Sequence, residues 1–382
     1  MWYTLLFILG VLSERFFKLN IGIFQLSTGD LVILAALPWL YFNGGRLPKW
    51  ALYISGITFL SLFISMLLNN GMGLNSMISV PLKLLVSGIV YYELSNLQKR
   101  SVWLLLVGAL IIIFSINIVL FTGLGYFSKE IFNRNELYSY MLCLSCLYLL
   151  IYRRNEKSDR KFIRVALTLI CLLIFLGLIA QSRQSIIATS VILLLSIIYF
   201  ANLKTILTIS FVLLVTAVVT TKPLLQGLSD DRFMKRIETV TALDPQTRAD
   251  MFRLNNALYV INNFDKAPWF GKGATSFIKE GPYEKVVHNA YLTSLYETGL
   301  FGLSVLIGCL LFMLRPFRHG LRNRKMLPIS LVLPSFFMLA FVIQALFIEI
   351  LAKTAFYVLI GCSAYLIKEQ RLFIDIKKNG KC

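Results

Sequence analysis

Long apolar runs constrain this chain more than any other feature. Near residues 50–69 and 102–124 no charged side chain interrupts them, and near 289–314 only Glu297 does. About twenty such residues let an α-helix cross the hydrocarbon core of a bilayer. Inside that core each backbone N–H and C=O must find its partner within the segment, which leaves helices as the solution for runs of this kind. Applied along the chain, the rule predicts an all-α polytopic membrane protein with about 12 transmembrane helices. They are expected near 3–13, 22–43, 50–69, 73–93, 102–124, 136–152, 163–181, 185–201, 204–221, 289–314, 327–348 and 350–367. The first run is short, and it lacks the cationic start and small-residue cleavage site of a signal peptide. Residues 1–40 are therefore expected to stay in the mature protein.

Composition agrees: 57% of the 382 residues are hydrophobic and only 15% charged, far from the balance of a soluble domain. Lys and Arg outnumber Asp and Glu by 38 to 19, yet no block resembles a nucleic-acid-binding arm, and no nucleic-acid partner is expected. Instead the basic residues concentrate in alternate loops. One set holds Arg46, Lys49, Lys99, Arg100, the Arg153–Arg164 cluster, Lys204, the Arg315–Lys325 cluster and the tail from Lys368. The other short loops hold Arg15, Lys18, Lys129, Arg134 and Arg183. On the positive-inside rule both termini are cytoplasmic, the clusters read as topology anchors, and His319 is an anchor's neighbour. Six cysteines are too few for a disulfide scaffold, and the Cys143–Cys146 pair lies on an apolar helix without a second pair or nearby His.

Residues 222–287 break the pattern. This 66-residue stretch carries ten Lys/Arg and eight Asp/Glu, and the alternation places it outside the cytoplasm. A loop that long needs internal structure. Met251, Leu254, Leu258 and Ile261 recur at helical spacing, with Asp244 or Thr247 as possible N-caps, so a helix is predicted over Arg248–Ile261. Gly271, Gly273, Gly281 and Pro282 then mark turns. The chain thus divides into helices over 1–221, a large external loop over 222–287, further helices over 288–367, and a cytoplasmic tail over 368–382.

Chemistry-bearing residues gather at the loop. His288 stands where the loop re-enters the membrane; an imidazole there can exchange a proton near neutral pH, although a lone His at a helix start is more often a cap. Gly299 and Gly302, about three turns on, permit close approach of another helix. Arg183 sits at a tight outer turn, where the positive-inside rule disfavours it. Arg248 and Arg253 lie in the outer loop, and a guanidinium presents a planar fork of donors suited to phosphate oxygens. Glu297 is an ionisable group more than two turns into an apolar helix, costly unless used. Asp30, Lys83, Glu349 and Lys353 read as helix-pairing or interface residues. The chain has no Asp-x-Asp, His-Glu-x-x-His or Walker-type string, which disfavours a divalent-metal nucleotide-sugar transferase or a pump.

His288-Asn289, nine residues, Gly299, two residues and Gly302 form a spacing that resembles the fingerprint of the bacterial O-antigen ligase and O-antigen polymerase superfamily. The stretch from Thr247-Arg248 to Pro268-Trp269-Phe270-Gly271-Lys272-Gly273, and Ser182-Arg183 at the outer turn, are similar to the family's pattern as well. The resemblance covers roughly 180–310. It implies a glycosyltransferase of the cytoplasmic (inner) membrane, acting on its outer face, that moves a glycan from undecaprenyl diphosphate to an acceptor hydroxyl without metal or other cofactor. It further implies Arg183 and Arg248 as holders of the diphosphate and His288 as the essential loop histidine. Arg253, Lys272, Asn289 and Glu297 complete the candidate substrate-binding set. A ligase would pass finished polymer to lipid A–core or another surface acceptor. A polymerase would extend a lipid-linked chain, with a chain-length regulator as a possible partner. The complete fingerprint leans towards ligase. A twelve-span transporter or flippase of lipid-linked oligosaccharide is the reading from outside this class; the chain shows no similarity between its halves to support it.

Overall fold

The computed structural model describes residues 18–21, 24–42, 45–69, 74–96, 100–123, 134–155, 158–179, 183–200, 248–274, 276–282, 289–346 and 354–379. Two expected spans, 3–13 and 204–221, lie outside the described residues, as do His288, Glu349 and Lys353.

Helices occupy the remaining expected segments. They are α1 (Thr28–Phe42), α2 (Lys49–Leu68), α3 (Leu74–Ser95), α4 (Arg100–Gly123), α5 (Arg134–Asn155), α6 (Asp159–Ile179) and α7 (Arg183–Phe200). After them come α8 (Arg248–Asn262), α9 (Ser276–Glu280), α10 (Ala290–Arg322), α11 (Pro334–Gln344) and α12 (Thr354–Lys378). Four of these, over Lys49–Leu68, Ser76–Ser95, Ser101–Ile118 and Ala290–Arg322, are by length and composition apolar enough to cross a membrane among the described residues.

Two expectations change in detail. The predicted span 22–43 starts only at Thr28, because Lys18–Ile21 and Phe24–Ser27 pair as the antiparallel strands β1 and β2, with Lys18 opposite Ser27 and Ile21 opposite Phe24. Alternating polar and apolar residues here favour a strand over a helix, so the architecture is helical with one short hairpin rather than purely α. The predicted span 327–348 breaks into a 3-10 turn over Ile329–Leu331 and the 11-residue α11. Pro328 precedes the turn and Pro334 opens the helix, and neither ring can continue an upstream helical ladder.

The packing is inside out relative to a soluble bundle. On α2 the buried face is Ala51, Ser55, Thr58, Ser61, Leu62 and Ser65, while Leu52, Ile57, Leu60 and Leu67 are about half exposed or more. Hiding hydroxyls while presenting Leu and Ile outward is favourable where the surroundings are lipid, and small inward residues let helices approach closely. The same device recurs at the centre, where α12 crosses α3. A Cβ on Gly361 would lie 2.5 Å from the Ser87 carbonyl oxygen. Around that crossing Phe356, Tyr357, Leu359, Ile360, Tyr365 and Leu366 of α12 are almost wholly buried. Asp30 is buried too and accepts a 3.0 Å hydrogen bond from Ser79, tying α1 to α3 as a helix-pairing residue.

Basic residues and the polar loop occupy opposite ends. Arg153 pairs with Glu369 at 3.3 Å, the Arg154 guanidinium donates to the Leu94 carbonyl, Lys368 reaches Ser95, and His319 bonds Gln370. These contacts collect the C-terminal ends of α3, α5, α10 and α12 into one basic end. At the other end Ser65 and Asn69, where α2 finishes, bond the carbonyls of Phe270 and Gly271. In a Cys382→Ser background, Lys279→Cys and Lys325→Cys should therefore react with an impermeant maleimide from opposite sides, Lys279→Cys in intact spheroplasts and Lys325→Cys only after permeabilisation. Labelling of both from one side would contradict this arrangement.

Candidate functional site

The site is built around a helix that is broken on purpose. Within α10 Gly299 adopts φ 68°, ψ −164°, a conformation closed to residues with a Cβ. An unbroken helix would pair Leu300 N–H with the Tyr296 carbonyl and Phe301 N–H with the Glu297 carbonyl. Here the loop takes all four groups. Lys272 N–H donates to Tyr296 O at 2.9 Å and Gly273 N–H to Glu297 O at 3.0 Å. Leu300 N–H donates to Pro268 O at 2.8 Å and Phe301 N–H to Trp269 O at 3.1 Å. Residues 268–273 are thus threaded into the opened turn.

Two glycines make the threading possible. A Cβ on Gly299 would stand 2.5 Å from the Trp269 carbonyl carbon, and one on Gly271, also at positive φ, would overlap the Glu297 backbone. The expectation that Gly299 and Gly302 form a helix-packing pair is corrected: close approach is real at Gly299, but the partner is the loop. Gly302 instead leaves room for the Thr298 side chain of its own helix, whose hydroxyl bonds the Ser294 carbonyl at 2.7 Å.

A polar lock secures the inserted loop. Lys272 Nζ bonds Glu280 Oε2 at 2.9 Å and lies 5.2 Å from the Tyr296 ring centroid. Tyr296 Oη donates to the same carboxylate oxygen at 2.9 Å, and Tyr259 Oη to the Glu280 carbonyl at 2.7 Å. Beneath them Tyr259, Phe277 and Tyr296 form a ring cluster with centroids 5.3–5.9 Å apart, in the range aromatic pairs favour. Burial pushes the Glu280 carboxyl up, but the hydrogen bonds from Lys272 and Tyr296 outweigh it and hold the group below the usual carboxylate range. Lys272, expected to bind substrate, thus serves the lock in this structure.

Asn289 is placed by equally local causes. It is the N-cap of α10: its Oδ1 accepts from Tyr291 and Leu292 N–H, both at 3.0 Å, while its Nδ2 donates to the Leu346 carbonyl at 3.1 Å. The cap satisfies two otherwise orphaned donors and pins the start of α10 to the end of α11. His288 directly precedes the cap in sequence, outside the described residues. Arg183 opens α7 and Arg248 opens α8, with Arg253 in the second turn of α8; of their side chains nothing is described. The meeting of these arginines with His288 thus lies beyond the described geometry.

Glu297 lies beside the break and lines a cavity of about 170 Å³ between α2, α3, α10 and α12, with Ala274 of the loop in its wall. Leu62, Leu84, Leu306 and Phe356 are among its apolar lining residues, and Thr58, Ser61 and Ser294 add hydroxyls to the same walls as Glu297. The sequence reading missed Thr58. Its side chain is 8% exposed, and its hydroxyl has no hydrogen-bond partner. A buried, unpartnered hydroxyl costs about 1–3 kcal/mol, and this one stands on the cavity wall. The polar residues of α2, at i, i+3 and i+7 in an otherwise apolar run, were the available signal.

Gly299→Ala should lose about 1–3 kcal/mol from the dihedral alone, with more from the overlap with Trp269, read as a lower melting temperature in detergent. For the lock, the sign follows from a folded value below the unfolded one. Its contribution is complete above the ordinary carboxylate range and is lost as pH falls through the lowered value. Amide exchange over 264–281, corrected for intrinsic rates, should accelerate in acid in the parent protein, and Glu280→Gln should abolish that acid response.

Comparison with known proteins points to the same part of the chain. The family model Wzy_C, described as O-antigen ligase, matches residues 166–307, a stretch that includes α7, the loop, the cap and the broken turn. No curated protein matches the chain. Over residues 166–307, therefore, the chain is similar to the O-antigen ligase family.

Proposed function

We propose that this protein transfers a glycan from undecaprenyl diphosphate to an acceptor hydroxyl at the outer face of the cytoplasmic membrane, in the manner of a ligase acting on lipid A–core or a comparable surface acceptor. The observation that supports the reading is the loop-threaded break in α10, because it lies within the matched segment and holds the loop and the start of α10 beside a cavity that α2, α3 and α12 complete.

The chemistry divides among the named groups. As the bond between the anomeric carbon and the diphosphate oxygen breaks, negative charge grows on the departing diphosphate. Arg183 and Arg248 stabilise that charge, with Arg253 as a further donor; preorganised donors of this kind are commonly the largest catalytic contribution. The acceptor oxygen bonds to the anomeric carbon, and His288 takes its proton. The cavity receives the junction of sugar and lipid, its hydroxyl rim with Glu297 towards sugar hydroxyls and its apolar side towards the isoprenoid. In this arrangement catalysis is positioning plus electrostatics.

Purified protein supplied with synthetic lipid-linked oligosaccharide and acceptor should transfer the glycan in detergent, a result no transporter produces. His288→Ala and Arg183→Ala should each reduce transfer at least about a hundredfold while melting and membrane insertion stay unchanged; full activity in either removes that residue from the mechanism. Thr58→Val should keep or raise stability, since it deletes an unpartnered hydroxyl, but should raise KM several-fold. In a deletion strain, bare core with polymer held on the carrier lipid marks a ligase. Core bearing a single repeat marks the polymerase reading.

A further inference from the structure

At the basic end of the bundle, far from the loop, an open cleft of about 400 Å³ lies between α10 and α12, near the start of α2 and the end of α3. Three cations from two helices line it: Arg315 of α10, and Lys368 and Arg371 of α12. All three are exposed. Asp375 stands on the same wall, so the cleft keeps a surplus of two positive charges. Its remaining wall is aromatic. Trp50 lies 6.2 Å from the Tyr91 ring and 5.9 Å from Phe312, and Lys368 Nζ sits 5.6 Å from the centroid of Tyr91.

We infer that this cleft is a binding site for the phosphate headgroup of an anionic phospholipid in the leaflet at the basic end. Topology alone asks only that basic residues lie in loops; it does not ask two helices to turn three cations into one concavity walled by Trp, Tyr and Phe. Guanidinium forks match phosphate oxygens. Trp and Tyr favour the headgroup level, with an apolar body and a polar edge. Clustered cations beside a span are the usual receptors of acidic headgroups. The cleft is remote from the broken turn, so this inference stands or falls separately from the transfer reaction.

The test is native mass spectrometry of the full chain in detergent, titrated with phosphatidylglycerol or phosphatidylcholine. The parent protein should retain phosphatidylglycerol in clear preference. Arg315→Gln, Lys368→Gln and Arg371→Gln should each weaken that retention about fivefold, with melting unchanged in Arg315→Gln and Arg371→Gln, whose side chains are exposed. The control triple Arg318→Gln/Arg322→Gln/Lys325→Gln should leave it nearly intact. Equal loss in the control, no preference over phosphatidylcholine, or displacement of the lipid by millimolar inorganic phosphate would each overturn the proposal. The last result would assign the cleft to a free anion instead.

Discussion

Everything at the loop end depends on four backbone groups that a straight helix would have kept to itself. Opening the Tyr296–Leu300 and Glu297–Phe301 pairs in an apolar setting leaves two carbonyls and two N–H groups without water to turn to, at a cost of several kcal/mol each. The structure meets that cost entirely with the backbone of residues 268–273. Neither partner is stable in this form alone: the helix needs the loop for its bonds, and the loop needs the helix to hold an irregular path. Irregular backbone at this depth is tolerated where it is enclosed by protein or borders a cavity, and here a cavity lies beside it.

The same economy explains α2. Its hydroxyl stripe is a single structural device with three outcomes along its length. Ser55 bonds the Pro81 carbonyl and holds α3 at 2.8 Å, Ser65 bonds the Phe270 carbonyl and holds the loop at 2.8 Å, and Thr58 between them is left facing the cavity without a partner. Two members of the stripe are structural anchors because their partners are backbone carbonyls of other elements. Thr58 departs from the rule that buried polar groups are satisfied, and it does so on the wall of the cavity.

Much of this architecture was legible in the sequence, and the remainder failed for identifiable reasons. Apolar run length located the helices because the bilayer fixes that length, and the helix predicted over Arg248–Ile261 is present as Arg248–Asn262. Periodicity did not tell which way that helix faces: Leu254, Leu258 and Ile261 are about half exposed, whereas Asn256 and Val260 are buried. An apolar stripe faces the core only when the alternative is water, and beside a membrane that premise lapses. The spacing from His288 to Gly302 was visible, but not the meaning of its glycines, because the group that crowds Gly299 lies about thirty residues upstream. The partners of Lys272 and Asn289, Glu280 and Leu346, are set by tertiary structure that local pattern does not encode.

The two ends of the bundle also illustrate how one electrostatic constraint does unlike work. At the loop end Lys272 is specifically housed, held between Glu280 and the Tyr296 ring. A chain with a net charge of +19 would draw anions to any exposed cluster, so a diphosphate site is selective only if competing cations near it are neutralised. The lock does this for Lys272, whose ammonium is held on the Glu280 carboxylate. At the basic end the opposite holds: Arg315, Lys368 and Arg371 share a cleft with one carboxylate, and the surplus is retained. One carboxylate thus quenches Lys272 at the loop end, whereas at the basic end a single carboxylate leaves the cleft with a surplus of two positive charges.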